Sequence, residues 1–101
     1  MATYEDLFNL KSNSDLRNKI AVACVKKAQT LLDGETPASD EVTWASNALN
    51  NPIGQADKIM NYVLAANSAA TVSQITSATD AAIQTNVDDA VDALIAGGIV
   101  N

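Results

Sequence analysis

Between residues 14 and 32, Leu16, Ile20, Cys24 (or Ala23), Ala28 and Leu31 recur at steps of three and four. That spacing stacks apolar side chains on one face of an α-helix. No other pattern constrains the chain as strongly, because nothing alternates with period two for long enough to propose a sheet. Asp15 stands in the first turn of this helix and Lys26 and Lys27 nearer its end, the charge order that suits the helix dipole. Asp33-Gly34 is expected to stop it, glycine taking the left-handed conformation there. Pro37 forbids a continuous helix through the loop at 35–38.

The remaining segments carry helix punctuation at both ends. Thr3 with Asp6 three residues on forms a weak capping box before TyrGluAspLeuPhe, giving a short helix to about Leu10. Ser39 or Thr36 is expected to cap a third helix running to about Leu49, with Val42, Ala45, Ala48 and Leu49 as its stripe and Trp44 flanking it. Asn51-Pro52 restarts the chain as cap and first helical residue. A fourth helix then reaches about Ala66 with Ile53, Ala56, Ile59 or Met60, Val63 and Leu64 buried. Thr71-Val-Ser-Gln74 opens another helix by a second capping box. Thr79-Asp80 either caps again or lies inside one longer helix over 71–96. Ile83, Val87, Val91, Leu94 and Ile95 mark the last stripe, and Gly97-Gly98 ends it. The expected fold is all-α: a compact bundle of four to six helices over residues 1–96, with a flexible C-terminal tail at 97–101. Only 4% of residues are aromatic although 48% are apolar. An alanine-rich core brings helices close together but buries modest area per residue, so partner contacts are expected to add to stability.

Charge narrows the function. The net charge of −6 is uneven: residues 1–33 hold five cations against four carboxylates, whereas residues 34–101 hold only Lys58 against eight. Nucleic-acid backbones require clustered Lys and Arg, so direct nucleic-acid binding is not expected. The longest apolar run, Ile20 to Val25, is far too short to span a bilayer, and no secretory signal is evident, so no membrane association is expected. A lone cysteine makes no internal disulfide. With no histidine, the commonest general base and metal ligand are both missing. Cys24 sits in an apolar helical run without a base beside it and reads as a small packed hydrophobe. Asp88 and Asp92 share a helix face, but two carboxylates fall well short of a calcium shell, and DGETPASDE at 33–41 lacks the spacing of a calcium loop. No enzyme activity, cofactor or metal is expected.

Partner binding has more behind it. Tyr4, Leu7 and Phe8 share one face of the short first helix, and Ile99 and Val100 follow the double glycine. Each end either folds back onto its own bundle or docks into a neighbouring subunit. Trp44 reads as a structural anchor together with Pro52, packed in the core or in a subunit interface, its indole N–H paired with a carbonyl.

Three stretches, KIAVACVKKA at 19–28, TWASNALNNP at 43–52 and TVSQITSATDAAIQ at 71–84, together resemble the small helical proteins encoded among the virion genes of tailed bacteriophages. The likeness is one of pattern and order across most of residues 16–95 and transfers no site residue. It implies a structural virion protein, made in the host cytoplasm and carried in the virion. The first choice within it is a neck or head–tail connector component, a homo-oligomer in contact with portal, capsid or tail proteins. A capsid- or tail-associated accessory protein is the nearest alternative. The competing class is a free acidic helical module that acts on a host protein.

Overall fold

The structure is a computed structural model and describes residues 2–100. Among these the backbone forms helices and no strand: α1 (Tyr4–Leu10), α2 (Ser14–Leu32), α3 (Ser39–Asn50), α4 (Pro52–Ala66), α5 (Val72–Thr76) and α6 (Asp80–Ala96). The bundle is therefore all-α, with six helices.

Most of the boundaries are made by side chains closing on backbone N–H groups that no helical carbonyl can reach. In α1 the Asp6 N–H donates to Thr3 Oγ1 and the Thr3 N–H to the Asp6 carboxylate, both at 3.1 Å. Thr71 and Gln74 repeat this reciprocal pair at α5, with distances of 2.9 and 3.1 Å. Asn13 Oδ1 accepts from the Leu16 N–H at 2.9 Å and starts α2. Asn51 Oδ1 accepts from the Gly54 N–H, with Pro52 at the first position of α4. Thr79 Oγ1 accepts from the Ala82 N–H, so residues 71–96 form two helices.

Two ends differ from expectation. The cap position of α3 is Ala38, which has no side chain to offer. Ser39 is already helical, and neither it nor Thr36 caps. Instead the Glu41 carboxylate accepts the Ala38 N–H at 3.0 Å, half of a capping box. At the end of α2, Gly34 is not left-handed. Asp33 closes the helix in right-handed geometry by donating to the Gln29 and Leu31 carbonyls.

Helix α2 is the hub, packing against α3, α4 and α6, while α4 also packs on α6. Its stripe of Leu16, Ile20, Cys24 and Ala28 is buried, and so are both Ala21 and Ala23. Against it lie Trp44, Ala45 and Ala48 of α3, Ile59, Met60 and Val63 of α4, and Ile83, Val87 and Val91 of α6. The alanines at these contacts permit close helix approach, and the few large side chains fill what remains at about 1.5–3 kcal/mol each. Polar ties cross the same contacts. Arg17 pairs with Asp57 at 2.8 Å, Lys27 with Asp92 at 2.8 Å, and the Gln84 amide donates to the Ala23 carbonyl at 3.0 Å.

The stripe of α3 is rotated from the expected one. Trp44, Ala45 and Ala48 face inward, and at 100° per residue Val42 and Leu49 fall about a quarter-turn away. They are 37% and 42% exposed, and Ile53 is 44% exposed. The indole, the largest side chain available, takes the interior that the smaller residues were expected to fill.

Candidate functional site

Both chain ends are positioned by backbone geometry. The Ala2 N–H donates to the Ala70 carbonyl at 2.8 Å, which ties the N-terminus to the α4–α5 connection. Helix α1 then turns Leu10 inward and packs Leu7 partly against the core, while Tyr4 and Phe8 point outward at 95% and 71% exposure. Of the three residues expected on one face, Leu7 is thus the inner edge and the aromatics the outer. Between α1 and α4 runs a groove of about 650 Å³ lined by Tyr4, Leu7, Phe8, Leu64 and Ala65, with Lys11 and Ser68 on it as well. The Lys11 ammonium lies 5.9 Å from the centre of the Phe8 ring, at the outer range of a cation–π contact.

At the other end the described part of the tail is seated on the bundle. Gly98 takes the left-handed conformation at φ 75°, which lets its N–H reach the Ile95 carbonyl and the Ile99 N–H the Leu94 carbonyl, at 3.0 and 2.9 Å. This is a Schellman motif, and it turns the chain back on itself. The Asn47 amide donates to the Val100 carbonyl at 3.2 Å, and Val100 packs against the core. Ile99 stays about half exposed. As far as it is described, the tail expected at 97–101 lies folded back on the bundle, and Asn101 lies outside the described residues.

The seated tail forms one wall of a second cleft, of about 300 Å³, with Leu94, Ile99 and Val100 on that side and Gln55, Lys58, Asn61 and Tyr62 of α4 on the other. Trp44 lines it too. The indole is buried within the chain itself, at 1% exposure, but its N–H has no hydrogen-bond partner. The carbonyl expected for it is missing. Asn61 borders both the groove and the cleft, so the two apolar features flank α4. Pro52 is half-buried at the start of that helix and fixes its direction.

The α4 residues of the cleft were not singled out from the sequence. Gln55, Lys58 and Tyr62 follow i, i+3, i+7 and so share a face, and Lys58 is the one cation after residue 33. That conjunction was the available signal.

The other candidates reduce to packing and pairing. Cys24 is fully buried, and burial pushes its thiol up to about 12, opposite to what a nucleophile needs. Asp88 accepts from the Gln84 amide and Asp92 pairs with Lys27. Among the described residues no group of three His, Cys, Asp or Glu could hold a metal ion, and no helix is long and apolar enough to cross a membrane. No protein-family model, curated protein or solved structure matches the chain.

Proposed function

We propose that the chain is a non-enzymatic structural protein that binds neighbouring subunits through its helices and termini, most concretely a head–tail connector component of a tailed-phage virion. The observation that carries this reading is α1. It is firmly capped and tethered, yet it leaves Tyr4 and Phe8 largely exposed on the rim of an apolar groove. Burying an aromatic of this kind is worth about 1.5–3 kcal/mol, so a partner has a strong reason to cover the pair. Groove and C-terminal turn are different surfaces on either side of α4, and unlike surfaces joined head-to-tail close into rings when the rotation allows it. The phage setting is supported by the sequence resemblance.

Mass spectrometry of purified particles of the encoding phage tests the setting. The protein is expected at a fixed stoichiometry near that of other neck components, and absence from mature particles would sink the virion reading. Absence would favour the acidic helical module acting on a host protein, for which the single cation against eight carboxylates in residues 34–101 speaks. Light scattering of the pure chain with and without portal protein tests the subunit contacts. The Tyr4→Ser/Phe8→Ser variant is expected to lose association while keeping the helical circular dichroism of the parent.

A further inference from the structure

We propose that the groove between α1 and α4 docks on the same groove of a second copy of the chain, about a two-fold axis at Phe8. The inference rests on the reading of α1 as a contact surface and names the partner that meets it. Tyr4, Phe8 and Lys11 follow i, i+4, i+7 and form one row along α1, with Glu5 beside Tyr4 on the same groove. The face carries both halves of a fit: two exposed aromatic rings that project, and an apolar recess walled by Leu7, Leu64 and Ala65. Only two of the residues lining it are charged, Glu5 and Lys11, one of each sign. Both are exposed, and neither forms an ion pair with another described residue.

Spacing makes these two charges complementary to their own copies. Glu5 and Lys11 each stand three residues from Phe8, about 4.5 Å along the axis at a rise of about 1.5 Å per residue. Lys11 is the C-cap and keeps right-handed geometry, so the rise holds across it. A two-fold axis perpendicular to α1 at Phe8 runs the two helices antiparallel and brings each Glu5 level with the other copy's Lys11. A two-fold interface requires this kind of match, since residue i meets j while j meets i. Net charge favours the same place. Two chains of −6 repel, but residues 1–33 hold five cations against four carboxylates, and the α4 wall of the groove carries no charge. Tyr4 and Phe8 of both copies offer about 600–1,000 Å². The groove walls that they cover bring the total near the roughly 1,200 Å² at which specific interfaces begin. Such an interface is weak, with a dissociation constant on the order of 10 μM. It uses the groove on both copies and leaves both C-terminal turns to further neighbours.

Sedimentation equilibrium of the full chain at low salt tests the pairing, and the parent is expected to show a monomer–dimer equilibrium. Glu5→Lys and Lys11→Glu each set like charges opposite one another twice and should weaken the dimer roughly tenfold, an effect that high salt reduces. An equimolar mixture of the two variants restores both attractive pairs, so it should associate about as tightly as the parent. The double exchange Glu5→Lys/Lys11→Glu should do the same. Neither a foreign partner nor a head-to-tail contact with the C-terminal turn produces that recovery. Circular dichroism checks that each variant keeps the parent's helices, and recovery on mixing excludes misfolding independently. No dimer up to about 1 mM, single variants as tight as the parent, or a mixture as weak as its components overturns the proposal. If the chain is monomeric but binds portal protein through Tyr4 and Phe8, only the pairing falls. If Tyr4→Ser/Phe8→Ser binds portal protein as the parent does, the reading of α1 as a contact surface falls with it.

Discussion

Cys24 and Trp44 are both almost completely buried, and each puts a polar atom where water does not reach. For Cys24 the consequence is a pH dependence. Its thiol titrates near 9.0 in the unfolded chain and is pushed up to about 12 by burial, so the folded state holds the proton more tightly. The stability that goes with it is complete below pH 9 and is lost as pH rises towards 12, with a slope of about 1.4 kcal/mol per unit. Urea titrations from pH 9 to 11 should show this slope in the parent and lack that component in Cys24→Ala, whatever the offset between them. A thiol reagent at pH 8 should label the native chain only as fast as it opens. For Trp44 the consequence is packing: Trp44→Ala should cost about 3–5 kcal/mol in urea unfolding, and a loss below about 1 kcal/mol would mean that the indole is not the core anchor. The absence of a histidine or cationic cluster around Trp44 pointed to a packed anchor and left core and subunit interface open; the fold puts it in the core. Its missing hydrogen-bond partner was not legible, because that depends on which carbonyls happen to end nearby once α3 has rotated.

At the level of elements, the legible signals were local ones. Thr3 with Asp6, Asn51 with Pro52, Thr71 with Gln74 and Thr79 each act within four residues, and in each case the side chain meets the backbone group that the spacing calls for. The failures came where the decision was made elsewhere in the fold. The face of α3 was set by competition for interior volume, and Val42 and Leu49 yielded to the indole. Gly54 provides a test of how much a cap matters. A Cβ there would come within 2.8 Å of Asn51 Cγ and closer still to Nδ2, so the Asn51 side chain lies where an alanine methyl would go. In an exposed helix interior, glycine to alanine usually stabilises by roughly 1 kcal/mol. Here Gly54→Ala should instead destabilise by about 0.5–2 kcal/mol, the value of a lost cap. Thermal melts of Gly54→Ala and Asn51→Ala should fall together, and the double variant should lie above the sum of the two losses. A stabilised Gly54→Ala would show that the cap adjusts at no cost.

Across the whole molecule the two termini are held in different ways, and on the proposed reading this separates folding from association. At the N-terminal end the capping box and the Ala2–Ala70 bond hold α1 without help from Tyr4 or Phe8, whose rings touch mainly solvent. Shared spacing made this face legible in the sequence. The groove beneath it was not, since it needs α4 brought alongside α1. At the C-terminal end the residues expected to reach a neighbour also close the chain's own bundle: Ile99 ends the Schellman motif, and Val100 packs inward under the bond from Asn47. Replacing Tyr4 and Phe8 by serine should therefore leave the unfolding free energy within about 0.5 kcal/mol while association is lost. Removing residues 98–101 should cost about 1–3 kcal/mol, because the last carbonyls of α6 lose their partners and Leu94 its cover. Denaturant unfolding and light scattering on the same two variants check this. If the truncated chain is as stable as the parent and only association suffers, the seated tail contributes nothing to folding and its role lies wholly with a neighbouring subunit.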